Sequence, residues 1–147
     1  PTGTLVCDYL LPGRNLFLFS TGTGLAPFMS IIRDPETYEK FENVILTHTV
    51  RTVKELAYID TLNNLNSDEI YSQVTKGKFK YFNTVTREDW DRTGRITEWI
   101  INNKLWDALK VKKFKPENDR VMICGSEDMK EGTGAFLDKR SPEFKGK

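Results

Sequence analysis

The sequence predicts an α/β fold: a Rossmann-like parallel sheet with helices on both faces. Three observations lead there. Four short apolar runs alternate with segments of helical spacing, and that alternation calls for parallel strands joined by right-handed crossover helices. The second run, Val44-Ile45-Leu46, is continuously apolar, as a strand covered on both faces must be. The first run, Phe17-Leu18-Phe19, breaks into Thr21-Gly22-Thr23-Gly24 and resumes as a helix. Strand, glycine turn and helix form the unit that offers free N–H groups to a phosphate.

Residues 1–15 read as a connector ending in a turn at Pro12-Gly13, with Leu5, Val6, Leu10 and Leu11 apolar enough to pack on something. Residues 16–19 form the first strand and residues 24–32 the first helix, stopped near Asp34-Pro35 because a residue before proline leaves the α region. Residues 35–41 are expected to add a helical turn or two. Residues 43–49 form the second strand. Leu56, Ile59, Leu62 and Leu65 then recur at helical spacing, which predicts one amphipathic helix over residues 54–65, with residues 68–75 as a weaker continuation. Gly77 turns the chain into the third strand, 79–85. A polar loop, 86–93, leads to a helix over 95–109 whose apolar positions are Ile96, Trp99, Ile100 and Trp106. After a charged loop, residues 121–124 form the fourth strand. Gly125-Ser126 turns it into a last helix over about 127–139.

Composition narrows the function. A chain of 147 residues suits one domain, taking roughly 100–200 residues per domain. Twenty-two basic residues against 21 acidic ones leave no strongly basic face, so nucleic acid is a poor partner. Cys7 and Cys124 lie far apart without metal or redox spacing and suit a reducing compartment, so a cytoplasmic location is expected. No run approaches the ~20 apolar residues of a membrane span, and no metal site is expected.

Ligands of such sheets bind at the carboxyl ends of the strands. After the first strand stand Thr21, Gly22, Thr23 and Gly24, followed by Leu25, Ala26 and Pro27 in the helix entry. After the second come Thr47, His48, Thr49, Val50 and Arg51. After the third come Thr84, Thr86 and Arg87, with Arg95 a short loop later; after the fourth, Cys124, Gly125 and Ser126. Arginines, hydroxyls and a thiol collect on one edge, and no carboxylate pair does. No acidic residue ends the second strand, where an NAD-binding fold would hold the ribose diol, and Arg51 stands just past that point. A guanidinium forks onto phosphate oxygens, so the chemistry points to NADP. Other readings stand beside these. Arg87 and Arg95 have Glu88, Asp89 and Asp91 available as ion-pair partners. Arg51 reads as a surface charge as readily as a ligand. His48 reads as a hydrogen-bonded strand-end residue rather than a base, and Cys124 by itself as a small buried hydrophobe.

Eight blocks follow one another in order: Pro1-Thr2-Gly3-Thr4-Leu5, Leu11-Pro12-Gly13, Thr21 to Phe28, Thr47-His48-Thr49-Val50-Arg51, Glu55-Leu56-Ala57-Tyr58, Thr84 to Glu88, Thr93-Gly94-Arg95-Ile96, and Val121 to Ser126. In these the chain resembles the NADP-binding half of bacterial-type ferredoxin–NADP reductases, up to about Met129. The resemblance implies a two-domain flavoenzyme in which a β-barrel binds FAD and the α/β domain, its strands in the order 3-2-1-4, binds NADP(H), with ferredoxin or flavodoxin as electron partner. It implies that Thr23 and Gly24 to Pro27 lie along the pyrophosphate and nicotinamide ribose. Arg51, Arg87 and Arg95 would hold the 2′-phosphate, with Thr86, Gly125 and Ser126 beside the cofactor. Cys124, the candidate catalytic residue, would sit beside the nicotinamide and orient it. Residues 1–14 would be the connector or last piece of the flavin barrel, and residues 15–147 the NADP(H) domain, truncated at its C-terminus. The flavin motif is not in this sequence, Gly132 and Gly134 interrupt the last helix, and a fifth strand beside the fourth is missing, so a part of a longer protein is expected, binding NADP(H) without turnover by itself. An NAD(P)H module of another flavoprotein reductase, or a non-catalytic nucleotide-binding or interaction module, remains as the alternative.

Overall fold

The computed structural model describes residues 11–138. The connector over 1–10, with Cys7, and the chain after Asp138 lie outside the described residues. Four parallel strands, β1 (Gly13–Thr21), β2 (Phe41–Val50), β3 (Phe79–Val85) and β4 (Asp119–Cys124), form one sheet in the expected order β3-β2-β1-β4. The central strand β1 carries Phe17 in register with Ile45 on one side and Val121 on the other. Its interior residues are buried, while β4 is mostly half-buried.

The neighbours β1 and β4 both begin further toward their amino ends than the apolar runs suggest. The reason is a buried charge. Asp119, 2% exposed, receives the Arg14 guanidinium through Nε (3.1 Å) and Nη2 (2.8 Å). The same carboxylate accepts the N–H groups of Asn15 (3.2 Å) and Lys115 (2.8 Å). A desolvated carboxylate persists only with such partners, and here they lock the starts of β1 and β4 together.

Alternation along the strands sends side chains to two cores. On one face Leu16, Leu18, Val44 and Leu46 pack with α1 (Ala26–Ile31), α2 (Pro35–Lys40), α3 (Ile59–Asn63) and α4 (Ser72–Thr75) through Phe28, Tyr38, Leu62 and Val74. On the other, Phe17, Phe19, Ile45 and Phe82 pack with α5 (Ile96–Ile101), α6 (Lys104–Leu109) and α7 (Glu127–Asp138). Phe17 stands edge-on to Trp106, their centroids 5.6 Å apart. Asp34, extended before Pro35, caps α2 by accepting the Glu36 N–H at 2.9 Å.

Three expected helices are corrected. The single helix over 54–65 is instead a 3-10 turn at Val53–Glu55, then α3, then a second 3-10 turn at Leu65–Ser67. The Glu55 carboxylate folds back to accept the N–H groups of Arg51 (3.0 Å) and Thr52 (3.1 Å), and Tyr58 is left-handed at φ 63°. Leu56 consequently packs with Val50 and Val85, while Leu62 and Leu65 enter the core on the α1 side. The weaker helix over 68–75 shrinks to α4. The helix over 95–109 breaks at Asn102-Asn103, with Asn103 at φ 66°, so that α5 and α6 each bury an apolar side.

Candidate functional site

The sheet order places a switch point at β1. From β1 the chain moves outward through β2 to β3, then returns to lay β4 on the other side of β1. Ligands of open α/β sheets occupy the crevice at such a point. Here an open groove of about 1340 Å³ lies along the carboxyl ends of the strands. Every site residue proposed from sequence borders it: Thr21 to Pro27, Arg51, Thr86, Arg87, Arg95, Cys124, Gly125 and Ser126.

One end of the groove is made of backbone. The turn Gly22–Leu25 that leaves β1 and the turn Gly125-Ser126 that leaves β4 pass in contact. A methyl group at Gly24 would collide with the Cys124 carbonyl oxygen and stand 2.7 Å from its carbon. One at Gly125 would strike the Thr21 hydroxyl and lie 2.8 Å from the Thr21 nitrogen. Gly22 is different: at φ +53° it needs glycine for its left-handed backbone, and nothing lies within 4 Å of where a Cβ would be. Thr21 Oγ1 accepts the Ser126 N–H at 2.7 Å, tying the two turns together, and keeps its own hydroxyl hydrogen to donate. Ser126 Oγ in turn accepts the Met129 N–H at 3.2 Å, at the entry to α7. Cys124, half-buried and free, ends β4 opposite Ser20 of β1.

The other end carries charge on exposed side chains. The loops after β2 and β3 continue the strand pairing: the N–H groups of Thr86 and Arg87 donate to the carbonyls of Val50 (3.0 Å) and Arg51 (2.9 Å). That brings Arg51 and Arg87 side by side. Among the described residues the ion pairs are Arg14 with Asp119 and Lys130 with Glu127. The alternative in which Glu88, Asp89 or Asp91 neutralises Arg87 or Arg95 is therefore not realised. Glu88 is used otherwise, accepting the Val53 N–H at 2.8 Å. Glu55 is held below the usual carboxylate range by the N–H groups of Thr52 and Arg51, with the Arg51 charge adding to them.

Loop 86–95 is pinned from beneath by Asn83, a residue the sequence reading passed over. Its side-chain oxygen accepts from Trp90 Nε1 (2.7 Å) and Arg92 Nη2 (3.0 Å), and its carbonyl from Arg92 Nε (2.9 Å). The Arg92 guanidinium lies over the Phe82 ring at 4.8 Å. Arg92 is thus spent on structure, whereas Arg87 and Arg95 in the same loop stay exposed. Nothing in the spacing distinguishes these three arginines, which is why sequence alone could not assign Arg92. Lys54, Tyr58, Glu98, Asp128 and Lys130 also border the groove without having been expected there. Tyr58 could have been found, since Glu55 to Tyr58 was already one of the recurring blocks.

Fold and groove together define a dinucleotide-binding α/β module. The chain belongs to the oxidoreductase NAD-binding domain family, whose model matches residues 18–134. It is 50% identical to a ferredoxin–NADP reductase of Pseudomonas aeruginosa over 139 residues, covering 94% of this chain and 54% of that protein. A ferredoxin–NADP reductase of Azotobacter vinelandii is 48% identical with the same coverage. A ferredoxin NADP+ reductase from Neisseria gonorrhoeae, solved with bound FAD and NADP, matches in structure with a TM-score of 0.76 at 32% identity. That match covers 88% of this chain and 50% of the other. The chain spans about half the length of these relatives. Among the described residues no helix is long and apolar enough to cross a membrane, and no group of metal-ligating side chains gathers.

Proposed function

We propose that this chain is the NADP(H)-binding module of a flavin-dependent ferredoxin or flavodoxin–NADP+ reductase. The observation that carries the reading is the pairing of two chemistries along one groove. Exposed arginines without carboxylate partners stand at one end, and a close-packed glycine crossing stands at the other. The residues fit an elongated dinucleotide with two separate anionic groups, a pyrophosphate and a 2′-phosphate. Arg51, Arg87 and Arg95 supply fixed positive charge for a 2′-phosphate, and their planar forks suit its oxygens. The glycines at 22 and 24 keep side chains out of the path of a pyrophosphate, and Thr23 to Pro27 line that path. Thr86, Gly125 and Ser126 complete the wall, and Cys124 stands at the β1–β4 crevice to orient a nicotinamide. When bound, NADP(H) supplies the hydride that a flavin accepts or returns, and ferredoxin or flavodoxin exchanges single electrons with that flavin.

In this reading residues 15–147 form the NADP(H) domain, residues 1–14 lead in from a flavin-binding domain, and FAD is held mainly outside this chain. A cytoplasmic location goes with it. The 147-residue chain alone then binds NADP(H) but does not turn over. Titration with 2′,5′-ADP tests the reading: saturable binding that weakens with salt is expected, and a chain that ignores the ligand is an interaction module instead. Flavin absorbance with diaphorase turnover in the purified chain would overturn the claim of inactivity.

A further inference from the structure

His48, the one histidine of the sequence, is used by none of the roles above. Its side chain is fully buried at 0% exposure, and it lies near the carboxyl end of β2, in register with Ser20 of β1 and Asn83 of β3. Its Nε2 lies 2.8 Å from the carbonyl oxygen of Gly22. A carbonyl only accepts, so Nε2 carries the hydrogen and the neutral ring leaves Nδ1 bare. Nδ1 is buried and has no partner among the described residues, so a proton there would gain nothing.

From this geometry we infer that His48 is a positioning residue: it holds the Gly22–Thr23 peptide in the one orientation that accepts an anion. The inference rests on the proposed NADP(H) site. The peptide bonds of the described chain are trans, and in a trans peptide the C=O and the following N–H point in opposite directions. Drawing the Gly22 carbonyl down onto His48 therefore turns the Thr23 N–H away from the sheet interior, on a residue that is exposed and borders the groove. The opposite orientation would present a carbonyl oxygen to the phosphates. A methyl group at Gly22 would meet nothing within 4 Å, so no collision of the kind that fixes Gly24 fixes this turn. The His48 bond adds to the 3-10 turn Gly22–Leu25 in holding the Gly22 carbonyl. The strand ends are tied reciprocally, since Ser20 Oγ of β1 donates to the Thr47 carbonyl of β2 at 2.6 Å. The predicted ligand chemistry is a phosphate of the dinucleotide backbone, not the 2′-phosphate at the arginines.

That separation gives the test. Three chains are compared, wild type, His48→Leu and His48→Gln, for binding of NADP+ and of 2′-AMP, which carries only the arginine-binding phosphate. His48→Leu should weaken NADP+ roughly five- to tenfold, the worth of one ordered hydrogen bond, and leave 2′-AMP within about twofold. His48→Gln, whose amide nitrogen reaches a similar position, should recover most of the loss. Imidazole nitrogen shifts of the wild type should show the neutral Nε2–H tautomer at neutral pH, with or without ligand. Normal NADP+ affinity in His48→Leu, equal losses for both ligands, no recovery in His48→Gln, or the Nδ1–H tautomer would each overturn the inference. A wild type that ignores 2′-AMP would bring down the proposed function, and this inference with it.

Discussion

The two ends of the groove are built on different principles. At the β1–β4 end, backbone lies on backbone: Gly24 against the Cys124 carbonyl, Gly125 against Thr21, and Ser126 bonded to the Thr21 hydroxyl. At the β2–β3 end, exposed charged side chains stand on loops held by single side-chain pins, Glu55, Glu88 and Asn83. Steric fit sets the shape of the first end and leaves almost no room for substitution. The second end is sterically permissive, and its character is electrostatic. The contrast predicts that changes at the glycines damage folding and binding together, whereas changes at the arginines alter selectivity and leave the fold alone.

Gly24→Ala is the sharpest way to break this contrast. The methyl group meets a carbonyl rather than a flexible side chain, so either turn must shift, at a cost of roughly 2–4 kcal/mol. Gly22→Ala meets open space and bears only the left-handed backbone, about 1 kcal/mol. Denaturant melts of both compare the two costs directly, and equal losses would mean the crossing is not close-packed in solution.

Next in size is the pair Arg87→Gln and Arg95→Gln. Each lost charge-assisted contact is worth about 1.5–3 kcal/mol, so the double variant should lose at least about a hundredfold in NADP+ binding relative to NAD+. Its stability should stay within about 0.5 kcal/mol, because both side chains are exposed and unpaired. Calorimetric titration with the two nucleotides decides it; equal weakening of both would remove the arginines from 2′-phosphate recognition.

Asn83→Leu sits between the two ends in kind. It leaves the Trp90 and Arg92 donors without their acceptor, and should cost about 1–3 kcal/mol. Amide exchange should rise selectively over loop 86–95. Exchange that rises evenly over the whole sheet would show Asn83 to be a general core residue and not a pin.

The smallest effect is one of pH. Burial holds the His48 imidazole below its ordinary value of 6.5, against the opposing bond to Gly22. The unfolded chain therefore takes up the proton first as the pH falls. The contribution of His48 is complete above about 6.5 and declines as the pH falls from there through the lower folded value. His48→Gln should flatten the melting temperature of the protein across that window; parallel curves for the two proteins would contradict it.

Much of this was legible in the residues. Strand β3 has the bounds that its pattern of aromatic and β-branched residues suggests, and a parallel sheet between two helix layers follows from alternation and right-handed crossovers. The failures were specific. Leu56, Ile59, Leu62 and Leu65 have helical spacing, but Leu56 belongs to a different cluster from Leu62 and Leu65, and the left-handed Tyr58 turns the chain between them. Periodicity cannot reveal that, because it reports spacing along one segment and not which neighbour each side chain meets. Gly132, read as a helix interruption, lies where a methyl group would come 2.8 Å from the Thr97 side chain, so it lets α7 approach α5.

The sequence by itself determined the layers, the parallel strands and the residue types that gather on one edge, because these follow from local period and from the chirality of the chain. Only the tertiary structure decided which of those residues stay exposed along the groove and which are tied into the fold. Arg92 stacks on Phe82 while Arg87 and Arg95 stay exposed; Thr21 ties two turns; His48 bonds the Gly22 carbonyl. Each assignment depends on a partner 4 to 105 positions away, as with Thr21 and Ser126 at the long end and Arg51 and Glu55 at the short end. Hydrogen bonds and collisions act over a few ångströms in space, whatever the separation along the chain.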